Sequence, residues 1–299
     1  MSRHQGTRTR DQRSVTGDDV RARLLAGIPA AERRLELAGV STAVLDAGEG
    51  PPVVALHGQG EFAALWTRVI PRLATTHRIL VPDLPGHGAS EAREGVLDAD
   101  RVLAWLGELI AATCPSPPTL VGHVLGGAIA ARFAIYHPED ISRLVLVDAF
   151  GLGPFRPAPR FALAMVGFLA RPTEDSMGRM LGQCVLDVDD VQDQMGEDWE
   201  LIAAYGLDAA RTPSKKAATR ALMKAFGVSA IPDSELARID VPTTLIWGRH
   251  DQLARLAVAE AASARNGWPL HVLDDSASDP IVEQPDEFVA LLHEVMAGR

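Results

Sequence analysis

The sequence predicts an α/β fold: a mostly parallel sheet covered by helices on both faces, interrupted once by a purely helical segment. Three observations carry this. Short strands that are apolar along their whole length alternate with amphipathic helices, as buried parallel strands do. One strand runs into a helix through a tight turn with glycines on both sides, Gly122-His123-Val124-Leu125-Gly126-Gly127. Between residues 152 and 235 no apolar strand occurs.

The elements follow in order. Residues 1–31 are polar at first and then offer a short amphipathic segment, Val20 to Leu25, read as a flexible or helical extension. Arg34–Val40 and Ser41–Asp46 read as a hairpin, bounded by Gly48-Glu49-Gly50-Pro51-Pro52. Val53 to Leu56 is a continuously apolar strand ending in His57-Gly58-Gln59-Gly60, and Arg78–Val81 is another, ending in Pro82-Asp83-Leu84-Pro85-Gly86-His87-Gly88. Asp98–Cys114 reads as a helix with Val102, Leu103, Leu106, Leu109 and Ile110 on one face. Thr119–Gly122 and Leu144–Val147 are further buried strands. Phe161–Ala170, Ser176–Leu186, Trp199–Leu207 and Ser214–Phe226 are helix-like runs punctuated by prolines, in which Met165, Phe168 and Leu169 read as packing residues. Alternation resumes with Thr243–Trp247, Leu253–Ala264, Leu270–Leu273 and Glu287–Ala297.

Composition narrows the function classes. The 299 residues are 47% hydrophobic and 23% charged with a net charge of −10, a globular composition that argues against nucleic acid as the main partner. Residues 1–34 carry eight Arg against four acids, a basic start read as a solvated tail. Cys114 and Cys184 lack metal-type spacing and read as two ordinary thiols. No long apolar run and no signal-like start is present, so a cytoplasmic protein without a membrane partner is expected. Asp187-Val188-Asp189-Asp190 lacks the glycine and glutamate of a calcium loop and reads as a helix start. No metal or cofactor is expected.

With these motifs in order, the chain resembles the α/β-hydrolase fold family in its capped branch. His57-Gly58-Gln59-Gly60 is similar to the family's oxyanion-hole loop. Asp83 to Ser90 resembles the loop after the following strand, and Gly122-His123-Val124-Leu125-Gly126 the nucleophile elbow. Trp247-Gly248-Arg249-His250-Asp251 resembles the turn bearing the triad acid, and Glu283-Gln284-Pro285 the segment after the catalytic histidine. The resemblance implies an eight-stranded, mostly parallel sheet, a core over 32–151 and 236–299, and a helical cap over 152–235. It also places Val124 at the nucleophile position and Ser278 at the histidine position, with no histidine between 272 and 292.

Valine offers no nucleophile, so acyl transfer through a seryl intermediate is not expected. What survives is an oxyanion hole from the backbone N–H groups of Leu125 and of Gln59 or Gly60, with Asp251, His123 and His57 as candidate proton-transfer groups. Val124, Ser278 and Asp279 complete the expected pocket. A carboxylate against an apolar pocket titrates high, which suits Asp251 as a general base. Because elbow residues sit at positive φ, Val124 is expected either to be strained or to relax the turn. The leading expectation is metal-free, non-hydrolytic chemistry: elimination, cyclisation or isomerisation of an apolar, carbonyl-bearing small molecule, in secondary-metabolite biosynthesis, by a monomer or homodimer. A ligand-binding pseudo-hydrolase and a water-mediated hydrolase are the alternatives.

Overall fold

The computed structural model describes residues 17–93 and 95–298. Its sheet has nine strands: β1 (Ala31–Leu37), β2 (Val40–Ala47), β3 (Pro52–Leu56), β4 (Arg78–Pro82), β5 (Glu91–Ala92), β6 (Thr119–His123), β7 (Arg143–Val147), β8 (Thr243–Gly248) and β9 (Leu270–Leu273). The order is β1-β2-β4-β3-β6-β7-β8-β9, with β5 against β2. β4 through β9 along this path are parallel, whereas β2 is antiparallel to β1, β4 and β5. The expected eight strands become nine because Glu91 and Ala92 pair with Ser41 and Val40, a two-residue ladder with no apolar signature. The hairpin turn lies at Ala38-Gly39, earlier than expected, with both residues at positive φ (44° and 74°). That left-handed pair matches the right-handed twist of the flanking strands.

Each face of the sheet buries its own core. One contains Val54, Leu56, Leu120, Leu146 and the helix Leu125–Tyr136; the other contains Val53, Ala55, Val121, Val145 and Trp66. Strands whose successive side chains are apolar feed both cores at once, which is why they read as continuous apolar runs. Asp98 caps the helix Ala99–Thr113 by accepting from the Arg101 N–H at 3.0 Å, and Asp187 caps Val188–Met195 through the N–H groups of Asp189 and Asp190.

Between β7 and β8 the chain forms helices Pro159–Ala170, Glu174–Leu181, Val188–Met195, Glu197–Arg211 and Pro213–Leu222, then a π-turn at Met223–Gly227 and a short helix Asp233–Leu236. Phe168 packs with Met177 and Leu207, Met165 is half-buried against the core, and Leu169 instead faces solvent. His87 Nε2 meets Thr219 Oγ1 at 3.0 Å, tying the loop after β4 to one of these helices.

The N-terminal segment departs from a solvated tail. Helix Gly17–Leu25 buries Val20 and Leu24, and its Arg21 pairs with the fully buried Asp83 at 2.7 Å. The amphipathic spacing marks the helix, but nothing local reveals a buried acidic partner 62 positions on. The rest of the basic start, residues 1–16, lies outside the described residues.

Candidate functional site

The turn between β6 and the helix Leu125–Tyr136 keeps the elbow conformation with valine at its apex. Val124 stands at φ 47°, ψ −106°, a strained arrangement for a β-branched residue. Four backbone hydrogen bonds hold it: its N–H donates to Val147 O (2.9 Å), and its carbonyl accepts from Gly127, Ala128 and Phe150. Such a residue costs on the order of 1–3 kcal/mol and persists only where its surroundings over-determine it. The turn depends on close backbone approach. A Cβ on Gly122 would lie 2.5 Å from Gly126 O, and one on Gly126 would lie 2.6 Å from Leu56 O and 2.7 Å from His57 O. The same approach brings the loop after β3 against the start of the helix. Among the described residues no protein acceptor is recorded for the N–H groups of Gln59, Gly60 or Leu125. The Val124 side chain itself is buried.

His57 does not reach a substrate. Its Nε2 accepts from the Leu84 N–H at 2.9 Å, so Nδ1 carries the proton and donates to Gly58 O at 2.8 Å. Both nitrogens are engaged and the ring is fully buried, which corrects the catalytic expectation to a strut between two loops. Burial, partly offset by the charge of Glu61, drops its pKa to about 4, and burial likewise drops His87 to about 4. In the unfolded chain both titrate near 6.5. Between these values the unfolded state binds more protons at these two rings, so their own contribution to stability is lost as pH drops from 6.5 to 4. The stability difference between the parent and a His87→Asn protein should therefore shift in favour of the variant as pH falls through this range, read from paired melting temperatures.

Ser278 is likewise corrected. Its N–H and its Oγ both contact Cys184 O at 2.9 Å, so the hydroxyl fastens this loop to the helical segment and is neither nucleophile nor free pocket donor. Glu283 organises the same loop, accepting from Ala277 N–H (2.8 Å), Ser276 Oγ (3.0 Å) and Leu186 N–H (2.6 Å).

His123 lies beneath the elbow with no exposed surface. Its Nε2 is 2.7 Å from Ser278 O and 3.6 Å from Asp279 Oδ1, and its Nδ1 is 3.3 Å from Glu61 Oε2. Burial opposes its charged form, but Glu61, Asp279 and Asp148 outweigh that and lift its pKa to about 10. Such a ring is a fixed charge at neutral pH, not the proton shuttle expected for His123. Burial, then the charge of Glu61, pushes Asp279 well above the usual carboxylate range.

Asp251 is 6% exposed, its Oδ1 accepting from the N–H groups of Leu253 (2.6 Å) and Ala254 (3.0 Å). Its partner is Asp148, which the sequence reading passed over. Asp148 ends β7 at φ 45°, fully buried, with Oδ1 accepting from Gly248 N–H at 3.0 Å. Among the described residues, the buried Oδ2 atoms of Asp148 and Asp251 have no recorded hydrogen-bond partner, and the charge of Asp251 bears on Asp148. Burial and the neighbouring Asp251 charge push Asp148 well above the carboxylate range. Burial raises Asp251 too, but the two N–H groups and Asp148 hold it to about 6. Asp148 sits between Val147 and Phe150, both bonded to the Val124 backbone, so the dyad adjoins the elbow. The only local signal was an acid closing an apolar strand, Arg143 to Val147, at the end where α/β sites form.

The alpha/beta hydrolase family model matches residues 53–291. The chain belongs to the alpha/beta hydrolase family. It is 28% identical to the pimeloyl-[acyl-carrier protein] methyl ester esterase of Aeromonas hydrophila subsp. hydrophila over 261 residues, covering 85% of this chain and 98% of that one. It is 28% identical to the 2-hydroxy-6-oxo-6-phenylhexa-2,4-dienoate hydrolase of Burkholderia cepacia over 228 residues, 71% of this chain and 75% of that one. A meta-cleavage product hydrolase from Pseudomonas fluorescens IP01 superimposes with a TM-score of 0.73 at 25% identity, over 89% of this chain and 97% of its own. These relatives of the family member are hydrolases. They overturn the expected non-hydrolytic elimination, cyclisation or isomerisation in secondary metabolism. That expectation took a valine at the turn to exclude a reaction class, although water can attack a carbonyl without a covalent intermediate. Among the described residues no helix is long and apolar enough to cross a membrane.

Proposed function

We propose that this protein is a capped hydrolase in which water, not a side chain, attacks the carbonyl of a small apolar substrate. The observation that carries this is the Asp148–Asp251 dyad beside an elbow that retains its free N–H donors although Val124 replaces a nucleophile. In this reading Val124 and Ser278 stand where the family's serine and histidine would be. Asp251, ionised above about pH 6, takes a proton from water as the water attacks. The N–H groups of Leu125 and Gln59 hold the developing oxyanion, each such donor contributing about 2.7–4 kcal/mol in comparable sites. The dyad then returns a proton to the leaving group. Like-charged neighbours that share one proton divide acid and base roles in this way.

A cavity of about 330 Å³ supports the substrate class. It is walled by Ala149 and Phe150, which follow Asp148, by Leu253 and Ala254, whose N–H groups hold Asp251, and by Phe155 and Val258. Its apolar walls suit an acyl chain or an aryl group, with Arg156, Arg255 and Arg265 also lining it, and the segment 152–156 and Gly227 close it from the 152–235 side.

The test is turnover of short-chain p-nitrophenyl esters and of a vinylogous 1,5-diketone in heavy-oxygen water. The expected product acid carries one solvent oxygen, no acyl-protein appears by intact mass, and a fluorophosphonate does not label the protein. A product isomeric with its substrate, or an acyl adduct on the chain, would overturn the reading.

A further inference from the structure

We propose that the helix Pro159–Ala170 docks this protein on the surface of an anionic lipid bilayer, lying in the interface with its apolar face toward the acyl chains. Residues 161–170 form an unbroken apolar run, Phe-Ala-Leu-Ala-Met-Val-Gly-Phe-Leu-Ala, closed by Arg160 and Arg171. A helix that is apolar all round belongs in an interior. This one buries only Phe161 and Phe168. Leu163, Val166 and Leu169 are 75%, 59% and 59% exposed, three of the seven large apolar side chains left exposed among the described residues.

Their spacing of three places them on one side of the helix, where the exposed Gly167 and Ala170 fill the gaps. Between Arg160 and Arg171 that side offers no side-chain donor or acceptor. A folded protein partner reads a surface through about one hydrogen bond per 100–200 Å², whereas lipid tails ask for none. The run spans about 15 Å at about 1.5 Å per residue, half of what crossing a bilayer takes, so the helix fits along the interface. The expectation of no membrane partner came from missing spanning segments, which an interfacial helix does not need.

The charge around the helix selects an anionic surface. At its N-terminal end stand Arg156, Arg160 and Arg255, the last donating to Arg156 O from Nε (3.2 Å) and Nη2 (3.0 Å). All three are exposed, and no acid lies between residues 149 and 173. Arg265, further along the cavity wall, is already paired with Asp233 at 3.1 Å. The other end is mixed: Arg171 and Arg211, which donates to Pro172 O at 3.1 Å, stand by Glu174 and Asp175. On a chain of net charge −10, a purely basic end orients the molecule toward a negative surface. That end is also where the cavity meets solvent, since Pro154, Phe155, Arg156 and Arg255 line it. Docking would bring an apolar carbonyl compound dissolved in the bilayer to this opening. Only that delivery rests on the hydrolase reading; attachment to the bilayer does not.

The test is co-flotation of the full-length protein with vesicles of phosphatidylcholine alone and of phosphatidylcholine and phosphatidylglycerol in equal parts, at low and high salt. Binding is expected to the anionic vesicles, weaker to the neutral ones, and to fall with salt. Leu163→Gln and Val166→Gln should each weaken it about tenfold, and Arg160→Gln about fivefold. All three side chains are exposed, so circular dichroism should match the parent. Tyr136→Gln changes an exposed residue at the far end of the helix Leu125–Tyr136 and should leave binding unchanged. No binding to anionic vesicles, equal binding to both kinds, or undiminished binding by a folded Leu163→Gln/Val166→Gln protein would overturn the proposal. So would a parent that is dimeric by light scattering and becomes monomeric in that double variant, since a second copy would then cover the face. No substrate is used, so failure here is separate from any failure of the hydrolase reading.

Discussion

Asp251→Asn is expected to cut hydrolytic turnover by about 10²- to 10⁴-fold, the contribution typical of a positioned general base. The substitution keeps an oxygen that can accept from the Leu253 and Ala254 N–H groups and supplies an NH₂ that can donate to Asp148, so the fold should survive. kcat/KM of the parent should rise with pH through about 6, because the working form of Asp251 is the carboxylate. Asp148, His123, Asp279 and Cys184 are the ionisable groups that interact with it. Burial and the Asp251 charge shift Asp148 well upward and His123 titrates at about 10, so the limb near 6 belongs to Asp251. In Asp251→Asn that limb should vanish, a change that mere loosening of the site would not produce. Unchanged turnover in the variant would remove Asp251 from the mechanism.

The second large effect is on stability. Arg21→Met should cost about 3–5 kcal/mol in urea unfolding, the penalty for stranding one member of a buried ion pair. Asp83 would lose the guanidinium at 2.7 Å while remaining fully enclosed. It would keep only the N–H groups of Ala63 (2.6 Å) and Ala89 (2.8 Å). Replacing both partners with apolar residues should recover part of the loss, because the cost lies in the uncompensated charge. Equal stabilities of the parent and Arg21→Met would show that helix Gly17–Leu25 is not docked in solution.

These effects reach the proposed active site through one loop. Asp83 fixes the ends of the loops after β3 and β4, and His57 bridges the same two loops through Leu84 N–H and Gly58 O. Gln59 and Gly60, the proposed oxyanion donors, lie between those anchors. The N-terminal helix thus sits one ion pair from the loop that carries them.

The sequence by itself determined the layered fold and the place of the elbow, because apolar periodicity and glycine spacing are local signals that tertiary packing amplifies. It showed Val124 at the apex and Asp251 after β8, and it anticipated that Asp251 would titrate high. Only the tertiary structure decided what those residues face. Asp148 and Asp251 follow adjacent parallel strands, yet 102 intervening positions separate them in the chain, so their proximity has no sequence signature. Glu61 looked like an ordinary loop acid until the fold set it 3.3 Å from His123. His57 and Ser278 carried family positions, but their hydrogen-bond partners, Leu84, Gly58 and Cys184, are supplied by other segments and consume them. A side chain's chemistry is written at its own position; its protonation and availability are set by groups that only folding brings within a few ångströms.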